Sequence, residues 1–274
     1  MTVIIISSDS LPKEAQLAAE TAKALKYRCL GREFLGEVGK RHGVSEEKLQ
    51  KTLDELPSLL GVNARAHALH LAYIEEAVLS RLSEGKVVCH GLAAQLYVRG
   101  VSHVLKVRVL ADSQDLIHEI MKEKGLSSAK ARKALKRDET LRKRWSSDLY
   151  RMDETASSVY DLVINLSSIT PDEAVERIVE ASSRRKFKPM TYSVRCLKDL
   201  ELASRVRVAL FRLFPGAAVQ ADGSTVVVET AALSREKEKI AETIRRLARD
   251  IPGVDHVEVH LSNDIIRQAA ESFR

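Results

Sequence analysis

The sequence predicts an α/β fold, a parallel sheet flanked by helices, followed by a small α-β-β-α-β unit. Two observations carry this. Short β-branched runs alternate with amphipathic helical stretches through residues 1–182, as parallel strands joined by helical crossovers do. Beyond a charged stretch with Pro189, two apolar runs flank Asp222-Gly223, a strong hairpin signal. The 274 residues, 45% of them apolar, can bury a substantial core without disulfide or metal staples.

Thr2 to Ile6 reads as a buried strand, Ser7 to Pro12 as a turn and Lys13 to Leu25 as an Ala/Leu/Glu/Lys helix. Helical patterns follow at Arg32 to Arg41, at Ser45 to Leu56 with Glu46 and Glu47 in the first turn, and over Asn63 to Ser83. Lys86 to Cys89 and Val104 to Leu110 are short apolar runs that predict strands, with a helical turn at Leu92 to Val98 between them. Asp112 to Lys124 and Ser127 to Tyr150 are helical, Val159 to Leu166 is a strand, and Thr170 caps a helix over Pro171 to Ser182. Residues 183–196, rich in Ser, Arg and Lys, lack apolar periodicity and read as a linker between separable units. The second unit, 197–261, runs helix Leu197 to Phe214, strands Ala218 to Gln220 and Thr225 to Glu229, helix Ser234 to Asp250 and strand Val254 to Leu261, ahead of a tail, 262–274.

The formal net charge is +6, yet Met121 to Arg151 alone holds eleven Lys/Arg against four Asp/Glu. Lys130, Lys133, Arg137 and Arg144 share one helical face there, a phosphate-gripping or docking surface if it is more than a solvated one. Trp145 and Tyr150 are the only aromatics nearby, too few stacking surfaces to favour nucleic acid as a partner. Cys29, Cys89 and Cys196 lie far apart, and His67 and His70 have no third ligand at matching spacing, so neither a disulfide framework nor a metal site is expected. No apolar run reaches membrane-span length and no basic leader precedes Val3, which predicts a cytoplasmic chain without a transmembrane segment.

A strand, turn and helix at the N-terminus form the arrangement in which helix N–H groups meet an anion. The turn Ser7-Ser8-Asp9-Ser10-Leu11-Pro12-Lys13-Glu14, with Gly31-Arg32-Glu33, His90-Gly91-Leu92, Arg137-Asp138 and Tyr160-Asp161-Leu162-Val163-Ile164-Asn165, resembles in order and spacing the cytidylate-kinase-like family of nucleoside monophosphate kinases. The resemblance covers roughly residues 1 to 182 and implies a P-loop-kinase-like sheet. It implies a nucleotide or phosphate ligand, with Ser7, Ser8, Lys13, Arg32, His90, Arg137, Asp138, Arg142 and Arg144 as binding candidates. His90 belongs to that set also because ligands of open α/β sheets bind at the carboxyl ends of the strands.

The sequence departs from the family pattern where chemistry is concentrated. No Gly occurs before Gly31, so the first turn lacks the small residues that let backbone N–H groups close on a phosphate. Pro12 removes a donor, Glu14 adds a carboxylate, Leu92 stands where the family has an arginine, and Leu141 stands where cytidylate kinases have a second Asp. The expectation is a degenerate phosphate-binding loop in a nucleotide- or anion-binding, regulatory pseudokinase, with no catalytic residue, metal ligand or certain cofactor assigned. The alternative is an active kinase that uses ATP and Mg²⁺ to phosphorylate CMP or a related acceptor. The C-terminal unit resembles BON domains, which implies ligand sensing or a protein partner.

Overall fold

The computed structural model describes residues 2–57, 62–232 and 236–262. Strands β1 (Val3–Ser8), β2 (Arg28–Leu30), β3 (Val87–His90), β4 (Val104–Leu110) and β5 (Leu162–Asn165) form one sheet in the order β2-β3-β1-β4-β5. Every pairing is parallel, with Val3 opposite Val87 on one side and Val104 on the other. The central strand β1 is buried along its whole length, as both-face coverage of a parallel sheet requires.

Strand alternation divides two cores. Val3, Ile5, Val87, Cys89 and Val104 face α2 (Leu35–His42), α3 (Glu46–Asp54), α4 (Val62–Ser83) and Trp145 of α7 (Ser128–Tyr150). Ile4, Ile6, Val88, Leu105, Val107 and Ile164 face Leu17, Ala18 and Ala22 of α1 (Leu11–Leu25) and Ala174 and Ile178 of α8 (Pro171–Ser183). The Thr170 capping box starts α8 as its sequence predicts. Short α5 (Ala94–Tyr97) follows β3, and α6 (Ser113–Lys124) leads into α7.

β2 is absent from the sequence reading, because three residues, two of them exposed, carry no periodicity. Helix α9 spans Thr191–Phe211 and starts six residues before the predicted Leu197, inside the segment read as a linker. It serves two cores: Leu197 packs with the N-terminal domain, and Leu202, Val206 and Leu210 with the second sheet. Arg207 of α9 also reaches Glu75 of α4 at 3.1 Å.

The second sheet has the order β6-β7-β8, from β6 (Ala218–Asp222), β7 (Thr225–Ala231) and β8 (His256–Ser262). β6 and β7 are antiparallel, and Gly223 takes φ 61° in the turn that the Asp-Gly pair predicts. α10 (Lys237–Arg249) carries the crossover to parallel β8, giving the α-β-β-α-β order. The predicted tail from 263 onward and the helix start at Ser234 lie outside the described residues. Among the described residues no helix is long and apolar enough to cross a membrane.

Candidate functional site

The carboxyl ends of β1 and β3 and the inner face of α7 enclose a cleft of about 610 Å³. At its floor several amides of the turn after β1 find partners within the turn itself. The Ser10 amide donates to Ser8 Oγ at 3.2 Å, and the Lys13 amide donates to Ser10 Oγ, the cap of α1, at 3.3 Å. The Glu14 amide donates to the Ser10 carbonyl, and Pro12 in the first helical turn has no N–H.

Glu14, 2% exposed, turns its carboxylate back over this floor. Oε2 accepts from the Ser8 amide at 2.6 Å and Oε1 from the Gly91 amide at 2.5 Å. The side chain bridges the turns after β1 and β3, with His90 Nδ1 at 4.0 Å. Burial pushes the Glu14 carboxyl up to about 7, against the pull of Arg142, the two amide donors and Arg108. Burial also pushes His90 down, with Glu33 opposing and Arg32 reinforcing the shift.

A second layer fixes the turn from the side. Arg108 of β4, 2% exposed, donates Nη1 to Ser7 Oγ at 3.1 Å and pairs through Nη2 with Asp9. Arg142 of α7 donates to the Ser8 carbonyl and to Ser7 Oγ, and its Nε meets Glu154 Oε1 at 3.1 Å. Burial opposes the Arg142 charge, but Glu154, Glu14 and Asp9 together hold its pKa above the ordinary value. Gln95 holds the other Glu154 oxygen at 2.7 Å, and the Tyr160 hydroxyl donates to the Glu154 carbonyl at 2.8 Å.

The remaining cations of the cleft are also engaged. Arg32 makes a two-pronged pair with Asp54, at 2.8 and 2.6 Å, and donates Nε to the Gly91 carbonyl. Gly91 sits at φ 68°, and a Cβ there would press on Arg32 Cγ at 3.1 Å, so the glycine lets this arginine cross the turn. Lys13 pairs with Asp115 at 2.9 Å and Glu119 at 3.5 Å, and Lys124 with Asp138 at 3.7 Å.

Of the candidates read from sequence, the structure gathers Ser7, Arg32, Asp138 and Arg142 on the cleft wall and places Ser8, Lys13 and His90 beside it. Arg137 and Arg144 point to solvent, paired with Asp138 and Asp148, and Lys130 and Lys133 share their exposed face. The face predicted on α7 from Lys130, Lys133, Arg137 and Arg144 thus stays with solvent, and Arg142, which lies outside it, turns inward. Sequence reasoning missed Asp9, Arg108 and Glu154. Arg108 left a signal, a charge between Val107 and Val109 in a mostly apolar strand, and such a charge, once buried, requires an internal partner. Glu154 lies in a connection and left none.

The sequence model of the cytidylate kinase-like family matches residues 3–168. The chain belongs to that family. This family member is also 29% identical over 108 residues to the uronate isomerase of Corynebacterium glutamicum, across 39% of this chain and 21% of that enzyme. It therefore spans about a fifth of that relative's length. Among solved structures it is similar to an uncharacterized protein from Eubacterium ventriosum, with 17% identity, a TM-score of 0.49 and coverage of 67% of this chain and 100% of that one. Shikimate kinase from Bacteroides thetaiotaomicron gives 11% identity, a TM-score of 0.43 and coverage of 66% and 97%.

Proposed function

We propose that this cytidylate kinase-like protein does not transfer phosphoryl groups and works as a binding or regulatory member of its family. The charge of the cleft carries this reading. Asp9, Glu14, Asp54, Glu119, Glu123, Asp138 and Glu154 line it, against Arg32, Lys124 and Arg142, and all three cations are already paired. Phosphoryl transfer depends on donors and cations aimed at the charge on the phosphates, with a metal ion bridging them. Here the Ser10, Lys13 and Glu14 amides have partners within the turn, a carboxylate lies on the Ser8 and Gly91 amides, and the walls carry an excess of negative charge. The residues present do not fit ATP with Mg²⁺.

The C-terminal unit supplies the other half of the proposal, as a BON-like module that engages a ligand or a protein. Met190 and Tyr192, 65% and 79% exposed at the start of α9 and just ahead of that unit, add apolar contact surface next to it, with Tyr192 lining a groove against Val219 and Ala221. The deciding experiment for the kinase domain is ADP production from ATP and Mg²⁺ with each common nucleoside monophosphate as acceptor. No acceptor-dependent turnover is expected; turnover of about 1 s⁻¹ or more, within the ordinary enzyme range, refutes the proposal.

A further inference from the structure

The Glu14 carboxylate sits as a bound anion would sit. Its two oxygens take amide hydrogens from two separate segments, Ser8 at the end of β1 and Gly91 just after β3. The guanidinium groups of Arg142, from α7, and Arg108, from β4, act on it electrostatically. Arg108 retains a buried Nε with no hydrogen-bond partner. The two amide donors and the two guanidinium charges come from four parts of the chain that meet only in the folded protein, and they act on a group that is not a core side chain by nature. Glu14 also lines the cleft, so its side chain has open volume to move into without unfolding α1.

We propose that this hollow is an oxyanion site that the chain keeps closed with its own side chain, and that phosphate, free or as the phosphoryl group of a small ligand, takes the place of the carboxylate when Glu14 moves aside. The inference rests on the non-transferring reading above and adds regulation of the same site: the member is autoinhibited for anions by one residue. Asp9 and Glu154 remain tied to Arg108 and Arg142, which confines the opening to Glu14.

The test is calorimetric titration of full-length wild type, Glu14→Ala and Glu14→Gln with inorganic phosphate, formate, CMP and ATP. Glu14→Ala is expected to bind phosphate and formate saturably, at least about tenfold tighter than wild type, about 1.4 kcal/mol. Adding Arg142→Ala to that variant is expected to abolish the gain. A gain for CMP or ATP well beyond that for phosphate assigns the site to a nucleotide's phosphoryl group; equal gains assign it to free phosphate; either supports the plug. If Glu14→Ala does not fold, Glu14→Gln decides, since a neutral amide is displaced more easily than a carboxylate and its gain has the same direction. A folded variant with no gain for any of these anions, or a gain that survives Arg142→Ala, overturns the proposal. The two readings fail separately: variants without gain in a protein without kinase activity refute the plug alone, whereas turnover by the wild type refutes the proposed function.

Discussion

Glu14→Gln removes the one charge enclosed between the turns after β1 and β3 while keeping the volume of the side chain. The carboxyl lies at about 7 in the folded chain against an ordinary value of 4.5, a difference worth about 3 kcal/mol. Because the folded-state value is the raised one, this contribution to stability is fully present below pH 4.5 and is lost as pH rises through about 7. The quantity to measure is the unfolding free energy of the variant minus that of wild type, from urea titrations at about pH 5, 6, 7 and 8, since other titrating groups cancel in a difference. His42, His67, His70 and His90, all held below their ordinary values chiefly by burial, are common to both chains. The offset between the proteins at about pH 5 reflects the amide's poorer match to two N–H donors, a cost of about 1–3 kcal/mol. From about pH 5 to 8 the difference should move by about 2–3 kcal/mol in the variant's favour. A difference constant to within about 0.5 kcal/mol across that range would refute the burial argument for Glu14.

Two further outcomes follow from the same geometry. Arg142→Ala leaves Glu154 buried without its ion-pair partner and frees the Ser8 carbonyl, so it should cost about 2–4 kcal/mol in chemical denaturation; Arg137→Ala and Arg144→Ala, on the solvent face, should each change stability by less than about 0.5 kcal/mol. Equal effects from all three would place the α7 face wrongly. Protease cleavage between Arg184 and Pro189 should give two fragments that still co-elute, because α9 lends Leu197 to one core and Val206 to another; separation on size exclusion would show independently folded units.

Periodicity was informative wherever burial on a sheet face dictated it. The alternating Val3, Ile4, Ile5 and Ile6 and the Asp222-Gly223 hairpin were legible because each residue type answers to a local steric or solvation demand. Helix α9 was legible only in part. Its first six residues face solvent or tertiary neighbours, and charge plus Pro189 outweighed the propensity of the residues that follow. At the site, the missing glycines and Pro12 led to the expectation of a degenerate phosphate loop, and the Ser10, Lys13 and Glu14 amides have partners within the turn. What sequence could not show was where the Glu14 carboxylate goes, since Ser8 and Gly91 meet it through a parallel pairing of β1 with β3 across more than eighty residues. Arg137 and Arg142 are five residues apart on one helix, and only tertiary packing decides which of them faces the cleft.

A cleft closed to phosphoryl transfer in this way must reject a nucleoside triphosphate in its resting state. Titration of wild-type protein with ATP in the presence of Mg²⁺, by calorimetry at low and moderate salt, measures this without reference to any acceptor. A cleft with seven lining carboxylates and every lining cation paired predicts no saturable heat up to about 1 mM ATP, a binding free energy weaker than about −4 kcal/mol. Saturable one-to-one binding with a dissociation constant of about 50 μM or tighter would contradict it.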